Sequence, residues 1–525
     1  MIRRVFIRHI GLSTIGANFI FNQNKSIQEL FVTKNQSLPR SNPEDQGVSL
    51  AAIHRYFDAI EKSNQEFHST IVVKNGFVIA EAYWFPYAPD HKMQLYSMSK
   101  SFTSTAIGLA QQEGLLSVED PVLTYFKDVL PENISENLQK LKIKHLLMMG
   151  VGMAKDSIMT IEKSPPGTPW AKTFLSLPID YEPGAKFLYN SGASYMLSCI
   201  LQRITGRTMG EYLKPRLFDP LGMSQAVWSV NNEGINYGAS HLRITSEDMA
   251  KFGQFYLQEG KWNGKQILNS EYVKAASSKQ ISNGNNNSAW NYGYGYQFWL
   301  NPVGGFRADG AYGQYSMIFP EQNAVVSIGS ESIDKAATMN TVWNTLWPEL
   351  NKNQKLMPDD SANAKLKQRL SKLRFAPPIY STSSLSENRL QNKTFKIDKN
   401  DLGIESMTFL FGKDTISFRI KEEGIPAYQI FCGRNHWLRK GNFKPREHSL
   451  FSRRRIDFDS RVAASAGWSN DNTLEITMRF IETCHGDSLT CLFDEDRLVI
   501  RTLFSASRLE KKEDGRAALV GFLNS

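Results

Sequence analysis

A chain of 525 residues exceeds one ordinary domain; at about 150 residues per domain it implies three or four units, or one large catalytic domain with an accessory. With 41% hydrophobic and 22% charged residues, wholesale disorder is excluded. The net charge of +9 belongs to the tail: residues 1–350 hold 31 Lys+Arg against 30 Asp+Glu, residues 351–525 hold 30 against 22, and a chain built throughout to bind nucleic acid is excluded.

The chain opens Met1-Ile2-Arg3-Arg4-Val5-Phe6-Ile7-Arg8, followed by a mildly apolar run from Ile10 to Phe21. A basic start before a short apolar segment resembles a twin-arginine export signal, so residues 1–25 are read as a leader and the protein as exported to the periplasm; the alternative is a frayed basic terminus on a cytoplasmic protein. No later stretch reaches ~18 uninterrupted apolar residues, so no transmembrane span is expected.

Residues 22–45 are a polar lead-in. Helical spacing of apolar residues runs from Ser49 to Glu61, and Thr70 to Ala80 reads as two strands around an Asn75-Gly76 turn. Ser97 to Ala110 reads as a helix opened by hydroxyl residues able to cap it. A helical middle follows, clearest at Ser194–Ile204 and Ser246–Leu257, the latter starting with a cap and acids at its positive end. Strand patterns return at Tyr292–Leu300 and Tyr312–Ile328. Strands, helices and strands again predict an α+β unit over 45–350, an antiparallel sheet flanked by helices with an all-helical subregion, whose terminal strands share one sheet.

Residues 351–385, rich in Asn, Lys, Ser and Asp and holding Pro377-Pro378, read as a linker. Beyond it, short strands recur at 403–411, 415–421, 427–432, 473–482, 489–493 and 497–503, which predicts a small all-β barrel or sandwich over 386–525. Of four cysteines, Cys484 and Cys491 flank Gly486-Asp487-Ser488, a turn signal across which they could meet.

Three segments carry chemistry. Ser97 and Lys100 are three apart at a helix start, so their side chains share one face; a lysine in a partly desolvated site can lose its proton and take that of Ser97. The cluster Phe187 to Tyr195 offers a phenol as a proton relay, with Asn190 or Ser191 as a hydrogen-bonding group toward Lys100 or a substrate amide; a simple helix cap is the plainer reading of this segment alone. The segment Gly304 to Tyr315 holds glycines that let a ligand approach a strand backbone, or that make a tight turn.

In this order over about 220 residues, these segments resemble the S-x-x-K, Y-x-N and K-T-G elements of the class C β-lactamase and penicillin-binding-protein superfamily, most nearly its β-lactamase-related serine hydrolases. The phrases GLLSVEDPV, YEPGAKFLYNSGASYMLSCILQRITG, LFDPLGM and ITSEDMAKFGQFYL extend the resemblance across roughly residues 45–350. It implies Ser97 as acylated nucleophile, Lys100 as its base and Tyr189 as acid/base for the leaving group. Aligned on the K-T-G strand, Ala308 takes the position of the oxyanion-hole N–H, with Gly310 and Tyr312 beside it as substrate-binding candidates. The K-T-G lysine falls on Gly305 and its glycine on Arg307, a candidate replacement cation, while the Y-x-N asparagine falls on Ser191.

The expected activity is therefore hydrolysis of an ester, small amide or short peptide through an acyl-enzyme, with β-lactamase activity disfavoured. The alternatives are a D,D-peptidase or D-aminopeptidase acting on cell-wall peptides and a non-hydrolytic penicillin-binding sensor. No metal and no cofactor are implied, since the histidines form no close ligand pair. His241 reads as structural. Trp290, Tyr292, Tyr294 and Tyr296 alternate as one face of a strand, with Trp299 on the other, and read either as a cleft wall or as a core strand at the sheet edge. The tail's basic residues, Arg439, Lys440, Lys444, Arg446, Arg453, Arg454, Arg455 and Arg461, fit a solvated face or an anionic surface better than nucleic acid.

Overall fold

The structure is a computed structural model that describes residues 37–284, 288–352, 355–439, 441, 443–444 and 460–524. The leader, 1–25, and Arg453–Arg455 lie outside the described residues, as do the side chains of Lys440, Lys444 and Arg446. Helix α1 (Leu50–Lys62) starts where the Ser49 side chain accepts from the Ala52 amide, and its Ile53, Tyr56, Phe57 and Ile60 stripe is buried. Strands β1 (Glu66–Lys74) and β2 (Phe77–Tyr83) meet at Asn75 (φ 53) and Gly76 (φ 83), the two left-handed positions that a tight hairpin needs.

Helix α2 (Ser99–Gln112) is buried from Ser99 to Ala110 although it holds five hydroxyl residues there. Burial is tolerated because each hydroxyl is satisfied. Thr103 and Thr105 donate to carbonyls one turn back; Ser101 donates to the Gln297 carbonyl, Ser104 pairs with Tyr272, Thr105 with Tyr256, and Ser99 accepts from the Leu242 amide. The hydroxyls expected to cap this helix do none of that work: its N-cap is Met98, and Ser97 lies in a preceding 3₁₀ turn, Tyr96–Met98. Helix α3 (Ser191–Thr205) is capped by Asn190, and α4 (Ser246–Leu257) by a Thr245–Asp248 capping box.

Four further strands, β3 (Trp299–Leu300), β4 (Phe306–Gly310), β5 (Gln314–Phe319) and β6 (Ala324–Glu331), complete an antiparallel sheet of order β2-β1-β6-β5-β4-β3. The register of β1 on β6 places Glu66 directly opposite Glu331, so the two ends of this unit do share one sheet. The expected strand Tyr292–Leu300 shrinks to its last two residues: Gly293 (φ 119) and Gln297 (φ 64) break the extended path, leaving Tyr292 exposed while Tyr294 and Tyr296 are buried. The second strand pattern begins two residues late, at Gln314, because Tyr312 (φ 60) and Gly313 (φ 86) form the β4–β5 turn. Within 351–385, helix α5 (Asp360–Ser371) packs on β2 and α1, burying Leu366 and Leu370.

The tail is a closed barrel of nine strands: β7 (Lys393–Ile397), β8 (Ile404–Phe411), β9 (Thr415–Glu422), β10 (Tyr428–Arg434), β11 (Ser460–Asn470), β12 (Thr473–Phe480), β13 (Gly486–Asp494), β14 (Arg497–Phe504) and β15 (Leu519–Leu523). Their order is β10-β9-β8-β7-β15-β14-β13-β12-β11, closed by parallel pairing of β10 with β11. Closure leaves no sheet edge among these nine. Gly486-Asp487-Ser488, expected as a turn, begins β13; the turn lies at 481–485, and all four cysteines are free and buried. Trp437, Ala463 and Ile481 of the tail pack on Tyr87 and Phe375. Arg439 donates to the Pro86 carbonyl and faces His91, while Arg461 binds Glu482, so these two basic residues serve internal contacts.

Candidate active site

Ser97 stands in the 3₁₀ turn at the head of α2, and Lys100 one turn on points back at it. The Lys100 ammonium, only 2% exposed, donates to Ser97 Oγ (3.2 Å), Ser191 Oγ (3.4 Å) and the Ala239 carbonyl (3.0 Å), which engages all three of its N–H bonds. Burial lowers its pKa from 10.5 to about 7, against an opposing pull from the Asp156 carboxylate. Near neutral pH such a lysine readily gives up its proton, leaving a lone pair to accept that of Ser97.

Tyr189 completes the group. Its ring lies under the Lys100 ammonium, 4.9 Å from nitrogen to centroid, and its phenol faces Ser97. Burial raises the phenol's pKa, with Ser97 opposing, so it stays protonated at neutral pH. Trp299 stacks on Tyr189 at 5.5 Å and Tyr294 meets it edge-on at 6.4 Å, with Phe187 against both. Trp299, expected on the far face of a strand, is therefore part of the same aromatic wall as Tyr294.

The Asn190–Ser191 pair divides its work. Ser191 Oγ accepts from Lys100, while its amide donates to Asp156 Oδ1 at 2.9 Å. Asn190 is fully buried and turned away: Oδ1 accepts from the Ser157 amide and hydroxyl and from the Gly192 amide, and Nδ2 points at Met153 sulfur. Asn190 is a helix cap and a loop anchor, not a substrate contact.

Strand β4 lies against the Tyr96–Met98 turn. Strand β3 covers its outer edge only at Phe306 and Arg307, so from Ala308 onward that edge pairs with no further strand among the described residues. Gly310 permits the approach: a Cβ there would come within 2.2 Å of the Leu95 carbonyl oxygen. Tyr312, in the turn after β4, meets the Tyr96 ring edge-on at 5.4 Å.

Arg307 does not replace the missing lysine. It is fully buried, with Nε on Asp309 (3.0 Å), Nη1 on the Leu300 carbonyl and Asn301, and Nη2 on the Ala289 carbonyl. Trp290 shares this cluster, donating to Asp309 at 2.8 Å. His241 (φ 70) stacks on Tyr237 at 4.1 Å and pairs with Ser240. Two contributors escaped the sequence. The Ala239 carbonyl is backbone and leaves no side-chain signature; Asp156 sits in a loop with no motif around it. Among the described residues, no group of three or more His, Cys, Asp or Glu is arranged to hold a metal, and no helix is long and apolar enough to cross a membrane. A groove of about 680 Å³ runs between β2 and α5 and includes none of these residues.

An antiparallel sheet flanked by helices, with a desolvated lysine beside a serine at a helix head and an open strand edge opposite, is the framework of a hydrolase of the β-lactamase and penicillin-binding-protein superfamily. The chain belongs to the beta-lactamase family, whose match covers residues 65–337, just over half of it. It is 24% identical over 312 residues to a 6-aminohexanoate-dimer hydrolase from Paenarthrobacter ureafaciens, covering 54% of this chain and 78% of that protein. It is 25% identical to an uncharacterized protein of Alkalihalophilus pseudofirmus, over 41% of this chain and 66% of the relative, slightly less than two thirds of its length. A D-aminopeptidase from Brucella anthropi is 26% identical over 30% of this chain and 31% of its own. Among solved structures, an octameric penicillin-binding protein homologue from Pyrococcus abyssi aligns over 90% of this chain and 99% of its own, at 14% identity and a TM-score of 0.45.

Proposed function

We propose that the protein is a serine hydrolase that cleaves an ester or small amide through an acyl-enzyme on Ser97. The observation that carries this reading is the buried Lys100 amine, 3.2 Å from Ser97 Oγ, with its pKa lowered to about 7. In the forward step neutral Lys100 accepts the Ser97 proton as Oγ attacks the substrate carbonyl carbon. The oxyanion that forms is met by the Ser97 amide, a donor of the kind worth about 10²–10³ in rate; Ala308, expected as the second donor, is fully buried opposite Ser316 in the β4–β5 ladder. Tyr189 passes a proton to the leaving oxygen or nitrogen and is reprotonated from Lys100, so the C–O or C–N bond breaks without releasing an anion into the cleft. Water then attacks the acyl-enzyme, its proton moving by the reverse path, and Ser97 is regenerated.

The names of the relatives, a 6-aminohexanoate-dimer hydrolase and a D-aminopeptidase, support an amide of a small amino acid as one substrate class. The aromatic wall of Phe187, Tyr189, Tyr294 and Trp299 supports an apolar acyl or leaving group. A β-lactam is disfavoured, because Gly305 offers no cation and Arg307 is committed to Asp309.

The test is intact-mass analysis after a fluorophosphonate probe, alongside turnover of p-nitrophenyl esters and D-aminoacyl anilides. A single adduct on Ser97, with turnover and adduct both lost in Ser97→Ala, is the expected result. Undiminished ester turnover in Ser97→Ala would overturn the reading.

A further inference from the structure

Among the described residues, the barrel supplies no atom to the Ser97–Lys100–Tyr189 group, yet it touches the residue immediately before Ser97. Tyr96 has φ 50, a left-handed conformation that a bulky side chain keeps only when its surroundings hold it there. Those surroundings come from two sides. On one, Tyr312 meets its ring edge-on, and the Tyr312 carbonyl is fixed by the Ser330 hydroxyl and the Ser332 amide at the end of β6. On the other is the barrel's 481–485 turn between β12 and β13. The His485 ring lies 5.9 Å from that of Tyr96 and 4.5 Å from that of Tyr312, and Cys484 Sγ donates to the Tyr96 hydroxyl at 3.5 Å. Just upstream, the Gln94 amide donates to the Glu482 carbonyl at 3.0 Å.

His485 is itself held. Its Nδ1 lies 2.6 Å from Glu331 Oε1, and Glu331 is completely buried. Because the sheet register sets Glu331 opposite Glu66, two carboxylates meet at this end of the sheet, and like charges there would repel. Arg479 of the barrel reaches both, at 2.7 Å to Glu66 and 3.2 Å to Glu331, and Ser505 of the barrel donates to Glu331 as well. The docking of the barrel is thus what allows Glu331 to sit in the interior and present an oxygen to His485.

From these contacts we infer that the barrel turn is part of the active-site apparatus: His485, anchored on Glu331, is a positioning residue that keeps Tyr96 in its left-handed conformation and thereby sets Ser97 against Lys100. The inference rests on the reading of Ser97 as nucleophile. It is distinct from a role in holding the domains together, which would change stability without changing the rate of the folded enzyme.

The experiment uses the full chain with His485→Ala and His485→Asn. Asn keeps a donor for Glu331 while removing the ring, so it decides the matter should the Ala variant not fold. Measured are the melting temperature, the rate of Ser97 labelling by a fluorophosphonate, and kcat and KM for a p-nitrophenyl ester. The expected result in folded variant is a fall of about tenfold or more in labelling rate and kcat, with KM within about twofold of wild type. Labelling at the wild-type rate in a folded variant, or a loss confined to KM, would overturn the inference while leaving the hydrolase reading intact. A wild type that takes no label on Ser97 would overturn both.

Discussion

Replacing Lys100 by Met removes a buried amine while nearly conserving its volume, and the structure sets the size and the pH dependence of the effect. Burial lowers the lysine from 10.5 to about 7, a difference of 3.5 units, so at about 1.4 kcal/mol per unit the protonated form costs the fold up to about 5 kcal/mol. Between pH 7 and 10.5 the unfolded chain holds a proton on this lysine that the native chain lacks. Wild-type stability therefore rises with pH across that window, by about 2 kcal/mol from pH 7 to pH 9, and is lowest below pH 7. The Met variant has no such dependence. Its loss of the hydrogen bond to the Ala239 carbonyl, worth about 1–3 kcal/mol, shifts its stability by the same amount at every pH. The difference between variant and wild type in urea or thermal unfolding should therefore move in favour of wild type by about 2 kcal/mol from pH 7 to 9, with ester turnover absent in the variant throughout. The same group predicts a rise in wild-type kcat/KM through pH 7. Lys100→Arg, which keeps its proton, should lose at least about 10³, since an ordinary lysine would be neutral in only about one molecule in three thousand at that pH. Parallel stability curves for wild type and Lys100→Met would refute the reasoning at its root, because the lysine would then be charged and solvated.

Tyr189→Phe removes the proton donor but not the aromatic wall. Anilide turnover should fall by about 10²–10⁴, while p-nitrophenyl esters, whose leaving group departs as an anion unaided, fall far less; equal losses on both, measured as kcat, would remove Tyr189 from leaving-group protonation. A chromogenic cephalosporin should be turned over at least about 10³-fold more slowly than a p-nitrophenyl ester, because no cation stands at Gly305 and the buried Arg307 guanidinium is committed to Asp309, Leu300, Asn301 and Ala289; comparable kcat/KM values would show that the carboxylate finds another anchor.

What the sequence made legible was local. Asn75-Gly76 specifies its hairpin because both residues tolerate left-handed φ, and α4 begins and ends where its pattern says because its cap lies within three residues of its start. Ser97 and Lys100 are legible for the same reason: a spacing of three on a helical path settles that they face each other. Tyr189 was reached only through resemblance, and its neighbour Asn190 was misjudged because an asparagine before a helix serves equally as a cap or as a ligand. The alternation Trp290, Tyr292, Tyr294, Tyr296 imitates a strand, but these aromatics reach different environments along an irregular loop, and the period of two carries no sheet.

Strand β11 failed in the opposite way. Ala463 packs against the hydrolase at Tyr87 while Ala464 faces the barrel core, so both faces are buried by small residues and neither alternation nor β-branched side chains mark the strand. Its partner β12 carries Arg479, which in sequence is one more basic residue of a basic tail. Only the fold, by setting Glu66 beside Glu331 across 265 positions of chain, gives that arginine a task. The tail's charge is in this part a counter-charge to two carboxylates of the hydrolase sheet, and a surface excess of the same size would not do that work, since exposed pairs contribute at most about 1 kcal/mol. Arg479 is 5% exposed and Glu331 fully buried, so breaking the pair strands a charge in the interior. Cutting the barrel away should for that reason destabilise the hydrolase sheet, read as a lower melting temperature: Glu331 would lose Arg479, His485 and Ser505 together, and the turn that holds Ser97 would lose the face against which Tyr96 is packed.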